Sequence, residues 1–201
     1  MQRMPFVEKW KAASQLHDSR LALGLSPRLH EMPAPMTRYD DPFLPFGRAI
    51  IRATADLCCA VVFDLAAYLT LGAAGAIALE RTIPLVPEEM VTILHGPFVT
   101  GDYAAVAFEN AFNVDAVTLA SGELNVISNY VRHDTHGAFV STQSAMTLPG
   151  ENVGFYDERS LEINNIRVLW ISNLIIFASR GEDFEAAARR AAERFRVESL
   201  K

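Results

Sequence analysis

Apolar positions along the chain follow two alternating rhythms. Short continuous apolar runs, CCAVVFD (58–64) and MVTILHG (90–96), have the character of strands buried on both faces. Between them apolar residues recur every three or four positions, as in PFGRAIIRATADL (45–57), the spacing of an amphipathic helix. Taken in order, the pattern predicts a helix over 6–16, a short strand over 20–27 ending in a turn, and a Pro-rich loop over 34–45. A helix over 45–57, a strand over 58–64, a helix rich in small residues over 72–83 and a strand over 90–96 follow. Then come a helix over 101–112, a strand over 115–121, a helix over 122–131 and a strand over 137–144. Residues 145–165 show no strong period, 167–179 opens as a strand, and 181–196 is a helix with Phe184, Ala188, Ala191 and Phe195 on one stripe. Such alternation predicts one α/β domain over 1–201 with parallel strands. Six strands stand out, whereas a (β/α)8 barrel has eight and typically ~250 residues. The region 145–165 lies where the rest belong.

Composition narrows the partners. The chain is 50% hydrophobic over 201 residues, which suits a substantial core. Its net charge is −6 and its pI about 5.4, and the most basic stretch, ARRAAERFR (188–196), spaces its charges as a solvated helix face. No nucleic-acid partner is expected. Cys58 and Cys59 are neighbours on a strand and point to opposite faces, so free thiols in a reducing compartment are expected. The opening residues lack an apolar signal region, and the longest apolar stretch, 57–79, is interrupted by Asp64 and several Gly and Thr. A cytoplasmic protein with no membrane partner is the expectation. There is no early GxGxxG, so a dinucleotide fold lacks its signature.

Five segments in order, FGRAIIRATADLCCA (46–60), LGAAGAIALERTI (71–83), FNVDAVTLA (112–120), GAFVSTQS (137–144) and FASRGEDFEAAARRAAERFR (177–196), resemble the orotidine 5′-phosphate decarboxylase family, in its bacterial subgroup of longer chains. The resemblance covers most of 6–144 and 167–196. It implies a phosphate-binding (β/α)8 barrel, TIM-type, here shortened or incomplete between the fifth and last strands. It also implies a homodimer with active sites at the subunit interface. Position by position, the family's ribose-holding Asp after the first strand matches Ser26 in LALGLSP. The Lys and Asn of the second strand match Val62 and Asp64 in CAVVFD. The Asp-Ala-Lys-x-x-Asp of the third strand falls on HGPFVT, giving His95, Pro97 and Thr100 at its charged positions. The phosphate-binding Arg-Gly of the last strand falls on Asn173 and Leu174.

These replacements change the chemistry. Decarboxylation without a cofactor needs a charged network to stabilise and protonate a developing carbanion. Val62 and Pro97 carry no proton to give, Ser26 and Thr100 carry no formal charge, and Asn173 lacks the bidentate fork of Arg. Loss of activity on orotidine monophosphate is therefore expected. Two readings of the remaining mouth stay open. In one, Asp64 orients His95 as a general acid/base pair acting on a less charged small molecule, with Ser26, Val62, Thr100, Gln143, Trp170 and Asn173 contacting it. In the other, the barrel is a non-catalytic descendant that binds a ligand or a partner subunit, and His95 is structural. Val62, Phe63, Pro97, Phe98, Val99 and Trp170 give that mouth an apolar share.

Neither a cofactor nor a metal is expected. RHDTH (132–136) precedes a strand, on the face opposite a barrel's active site, and two His three apart are a weak zinc signal. RYDDPF (38–43) suits a turn in which Asp caps a helix. A gap in the barrel would leave unpaired strand edges. From that, with 151–165 either filling the gap or pairing with another subunit, a homodimer or a hetero-oligomer is expected.

Overall fold

A computed structural model describes residues 4–143 and 150–201, and part of the region without strong period, together with residue 144, lies outside them. Eight strands close into a barrel in sequence order. The first five, β1 (Leu21–Leu25), β2 (Ala60–Asp64), β3 (Val91–Phe98), β4 (Ala116–Leu119) and β5 (Gly137–Ser141), are parallel. Helix α1 (Phe6–Leu16) precedes β1, and α2 (Phe43–Thr54), α3 (Leu65–Leu69), α4 (Ala73–Thr82) and α5 (Leu124–Tyr130) run between the strands. Asp41 Oδ1 accepts the Phe43 amide at 3.1 Å and so caps the start of α2. The helix expected over 101–112 is instead a 3₁₀ turn (Gly101–Tyr103) that runs into a π-helical turn (Val106–Asn110).

The first five strands are largely apolar on both faces because both are covered. Leu23, Leu25, Val61, Phe63, Leu94 and Val117 point outward to the helices. Ala22, Ala60, Val62, Ile93, Ala116 and Phe139 point into the barrel. Cys58 joins the outer layer and Cys59 the inner one, as expected from their adjacency, and burial pushes both thiols well up.

The chain departs from the regular pattern after β5. β6 (Val153–Tyr156) lies parallel to β5, β7 (Ser160–Ile163) turns back antiparallel, and β8 (Ile166–Ile171) returns beside β7 and pairs with β1 in parallel. A meander thus replaces the later helix-linked repeats. Its last turn is Asn164–Asn165 with φ of 49° and 62°, the two positive values of a type I′ hairpin, whose twist matches that of the strands. Leu161, Ile163 and Val168 fill the interior while Glu162 and Arg167 face solvent. The barrel therefore has eight strands rather than the six that stand out in the sequence. It closes within one chain, so the open edges from which oligomerisation was expected do not exist.

Helix α1 forms the floor. Trp10 packs against Phe6 and Phe139, with ring centroids 6.2 and 5.2 Å away. The Phe6 ring lies so close on the Gly137 backbone that a Cβ there would overlap it. Asp115, at the foot of β4, accepts from Lys9 Nζ, the Thr92 amide and Thr92 Oγ1, each at 2.8 Å. The short helix α6 (Asn173–Ile176) follows β8, and at the far end of the chain α7 (Phe184–Ser199) packs on α2, where Arg189 forks onto Asp56 with two 2.8 Å bonds. Among the described residues no helix is long and apolar enough to cross a membrane.

Candidate functional site at the barrel mouth

Parallel barrels keep their chemistry where the strands end, because the connecting loops there vary without disturbing the core. At that end a cleft of about 790 Å³ opens above β3, β5, β6 and β8. His95, Ser141, Gln143, Tyr156 and Trp170 line it, with Asp157, Glu158 and Arg159 of the β6–β7 turn on its rim. The His95 ring meets Trp170 edge-on at 4.9 Å and Tyr156 at 5.9 Å between centroids. Trp170 can lie across the mouth because position 24 is glycine. A Cβ there would stand 2.6 Å from the indole Nε1 and 2.6 Å from Ser172 Cβ.

His95 is held from within the wall. Its Nδ1 lies 2.9 Å from Thr118 Oγ1, and the same hydroxyl accepts the Gly96 amide at 3.3 Å. Burial holds the imidazole below its ordinary range, and the negative charge of Asp64 only partly opposes this. The ring is therefore neutral near pH 7. Asp64 stands in register with His95 across β2 and β3, but its Oδ1 accepts the Ala67 amide at 3.1 Å and caps α3. Thr118, not Asp64, orients the imidazole.

On the rim, burial raises the Asp157 carboxyl, yet the Arg159 amide, Ser160 and Arg167 together hold it below the usual range. The Arg167 guanidinium is 3.7 Å from Asp157. Burial pushes the Tyr156 phenol up, opposed by a hydrogen bond with Ser141. Arg159 has no ion pair among the described residues and leaves its guanidinium to the cleft.

Of the residues expected at the mouth, His95, Gln143 and Trp170 come together in the cleft lining. Val62 is fully buried one step below Asp64, in register with Gly24 and Ile93 inside the barrel. Ser26 is half-buried just past β1, and Thr100 and Asn173 are exposed outside the lining. Phe63 and Phe98 belong to the outer layer. Thr118, Ser141, Tyr156 and Arg159 were not anticipated. Thr118 carries a signal, being the one polar residue within the apolar strand AVTL. The others sit on or beside the meander, whose strands are too short to show a period. At the opposite end His136 stacks on Phe108 at 4.1 Å, and among the described residues no group of three or more His, Cys, Asp or Glu suits a metal ion.

An eight-stranded α/β barrel with aromatic and polar side chains gathered at its strand ends is the class of protein defined here. No protein-family model matches the chain. It is 37% identical over 185 residues to an orotidine 5′-phosphate decarboxylase of Herpetosiphon aurantiacus, covering 87% of this chain and 65% of that protein. It is also 37% identical over 121 residues to the Thermomicrobium roseum protein of that name, covering 58% and 43%. The chain thus spans less than two thirds of the length of these curated relatives. Among solved structures, Leishmania donovani OMP decarboxylase superposes with a TM-score of 0.71 at 17% identity, covering 98% of this chain and all of that one. The Plasmodium berghei orotidine 5′-monophosphate decarboxylase gives 0.75 at 11% identity, covering 97% of each. The chain is similar in sequence to orotidine 5′-phosphate decarboxylases, and it has their barrel fold.

Proposed function

We propose that this barrel descends from the orotidine 5′-phosphate decarboxylases but does not decarboxylate orotidine monophosphate, and that its mouth binds a small molecule of lower charge in the cytoplasm, without a cofactor. The names of its relatives favour the ordinary reaction. One observation weighs against it: the placement of the lysines. Lys9, Lys11 and Lys201 are the chain's only ones. Lys9 and Lys11 lie on the floor helix α1, where Lys9 is bonded to Asp115. Lys201 follows α7, whose Ser199 hydroxyl accepts the Arg20 amide just below β1. Among the described residues no lysine ammonium therefore stands at the mouth to stabilise or protonate a carbanion. Arg159 and Arg167 supply charge there, but a guanidinium does not give up its proton.

Within this reading the non-catalytic version has the stronger support. The acid/base reading has Asp64 orient His95, whereas the Asp64 carboxylate accepts the Ala67 amide and Thr118 holds the ring. A homodimer belongs to the same proposal on the family resemblance alone, and light scattering that finds a well-folded monomer counts against it. For the main reading, purified protein is incubated with orotidine monophosphate and UMP is quantified. No UMP above the protein-free control is expected, and UMP formation proportional to protein concentration overturns the proposal.

A further inference from the structure

We propose that the mouth recognises a neutral acceptor oxygen, the carbonyl of a planar molecule, through the Nε2–H of a His95 that Thr118 locks in one tautomer. This rests on the mouth being a ligand site. The lock follows from counting protons. Thr118 is fully buried, and its hydroxyl has one proton to give and two lone pairs. The Gly96 amide uses one lone pair. The hydroxyl proton needs an acceptor, because a buried donor left unpaired is costly. Among the described residues His95 Nδ1, at 2.9 Å, is the partner able to accept it. Nδ1 is then an acceptor, and the single proton of the neutral ring sits on Nε2. Depression of the imidazole by burial agrees with a neutral ring.

Nε2 has no hydrogen-bond partner among the described residues, and the ring lines the cleft. A ligand atom placed there must accept. Charge selects among acceptors. Asp64 stands in register beside His95, and Asp157 and Glu158 lie on the rim, against Arg159 and an Arg167 already paired with Asp157. The lining carboxylates Asp157 and Glu158 balance the two guanidiniums, and Asp64, beside the cleft on β2, tips the mouth toward negative charge, which disfavours a phosphate or a carboxylate and leaves a neutral carbonyl. The faces and edges of Trp170 and Tyr156 beside the imidazole suit a planar body. A ring that already carries Nε2–H cannot take a proton there, so the group is a donor for binding rather than a resting general base.

The test is a long-range ¹H–¹⁵N correlation spectrum of the ¹⁵N-labelled, ligand-free protein, which has five His, with His95 assigned by its loss in His95→Gln. The expected pattern has Nδ1 unprotonated and Nε2 protonated. Thr118→Ser keeps that pattern, and Thr118→Val replaces it with a mixture of tautomers. A proton on Nδ1 in the wild type overturns the lock whatever the mouth binds, as does a folded Thr118→Val with the pattern unchanged. Benzamide and benzoate then serve as probes that differ in charge. Benzamide is expected to shift the Nε2 resonance further than benzoate at equal concentration, and the reverse order overturns the preference for a neutral acceptor. If the assigned tautomer is present and neither probe moves Nε2, the lock stands and the mouth as a ligand site falls.

Discussion

The floor and the mouth of this barrel are both built from aromatic side chains, yet they are finished differently. At the floor, Phe6, Trp10 and Phe139 are fully buried, and Asp115 Oδ2 accepts three bonds from Lys9 and Thr92. At the mouth, Trp170 and Tyr156 stay partly exposed, and among the described residues the Trp170 Nε1 and the Ser172 hydroxyl have no hydrogen-bond partner, as is true of the Trp10 Nε1 at the floor. An unpaired buried donor costs about 1–3 kcal/mol. Both ends carry that cost, so the contrast lies in exposure: the mouth aromatics are left partly in water, where strand ends and loops leave room for something to bind.

The contrast breaks or holds first on the two tryptophans. Trp10 is 1% exposed, and Trp10→Ala removes the centre of the floor cluster, at an expected cost of about 3–5 kcal/mol. Against a typical total of roughly 5–15 kcal/mol, that leaves a marginal protein. Trp170→Ala deletes a side chain that is already partly in water and should cost less than half as much. Urea denaturation of both variants decides. Equal losses make the mouth part of the packed core and end the comparison.

Gly24→Ala sharpens it with a smaller effect. The new Cβ, 2.6 Å from both Nε1 of Trp170 and Cβ of Ser172, forces the indole off the β1 wall. Overpacking of this kind costs about 1–3 kcal/mol. In a Trp10→Phe background the emission of Trp170 alone reports the move, and a shifted spectrum is expected. An unchanged spectrum means the indole does not rest on Gly24.

The sequence reveals the first five strands well, because each is a short apolar run buried on both faces and followed by turn or helix signals. It reveals the mouth less well, for a physical reason. The resemblance to the family points to strand-end positions, Ser26, Thr100 and Asn173 among them, and these three lie outside the cleft lining. The cleft is shifted toward the meander, where β6 and β7 have four residues each. Four residues cannot display a period. The Asn164–Asn165 pair was the available clue, since two adjacent residues that tolerate positive φ between apolar runs mark a tight hairpin. Thr118 was legible in kind but not in role, because its partner on β3 is set by register rather than by sequence distance.

The smallest expected effect separates the two ends by pH. Burial puts the His95 imidazole in the folded protein below its ordinary value of about 6.5. Above that value both the folded and unfolded states hold it neutral, and it contributes no pH dependence. As pH falls from there toward the lowered folded value, the unfolded chain takes up a proton that the folded chain refuses. The unfolded state then binds more protons, so stability declines with acidification in that window. Glu31, Asp56, Asp157 and Asp183 also lose stability in acid, since their carboxyls are held low, but that loss begins near ordinary carboxylate values, about 4. Between these windows His95→Gln should flatten the decline seen in the wild type, by a fraction of the stability lost in Trp10→Ala. Trp10→Phe, a floor change, should leave the slope as it was. Denaturation midpoints at pH 5 and pH 7 give the slope for each protein. If the floor variant flattens it as much as the mouth variant does, the imidazole is not what makes the mouth sensitive to acid.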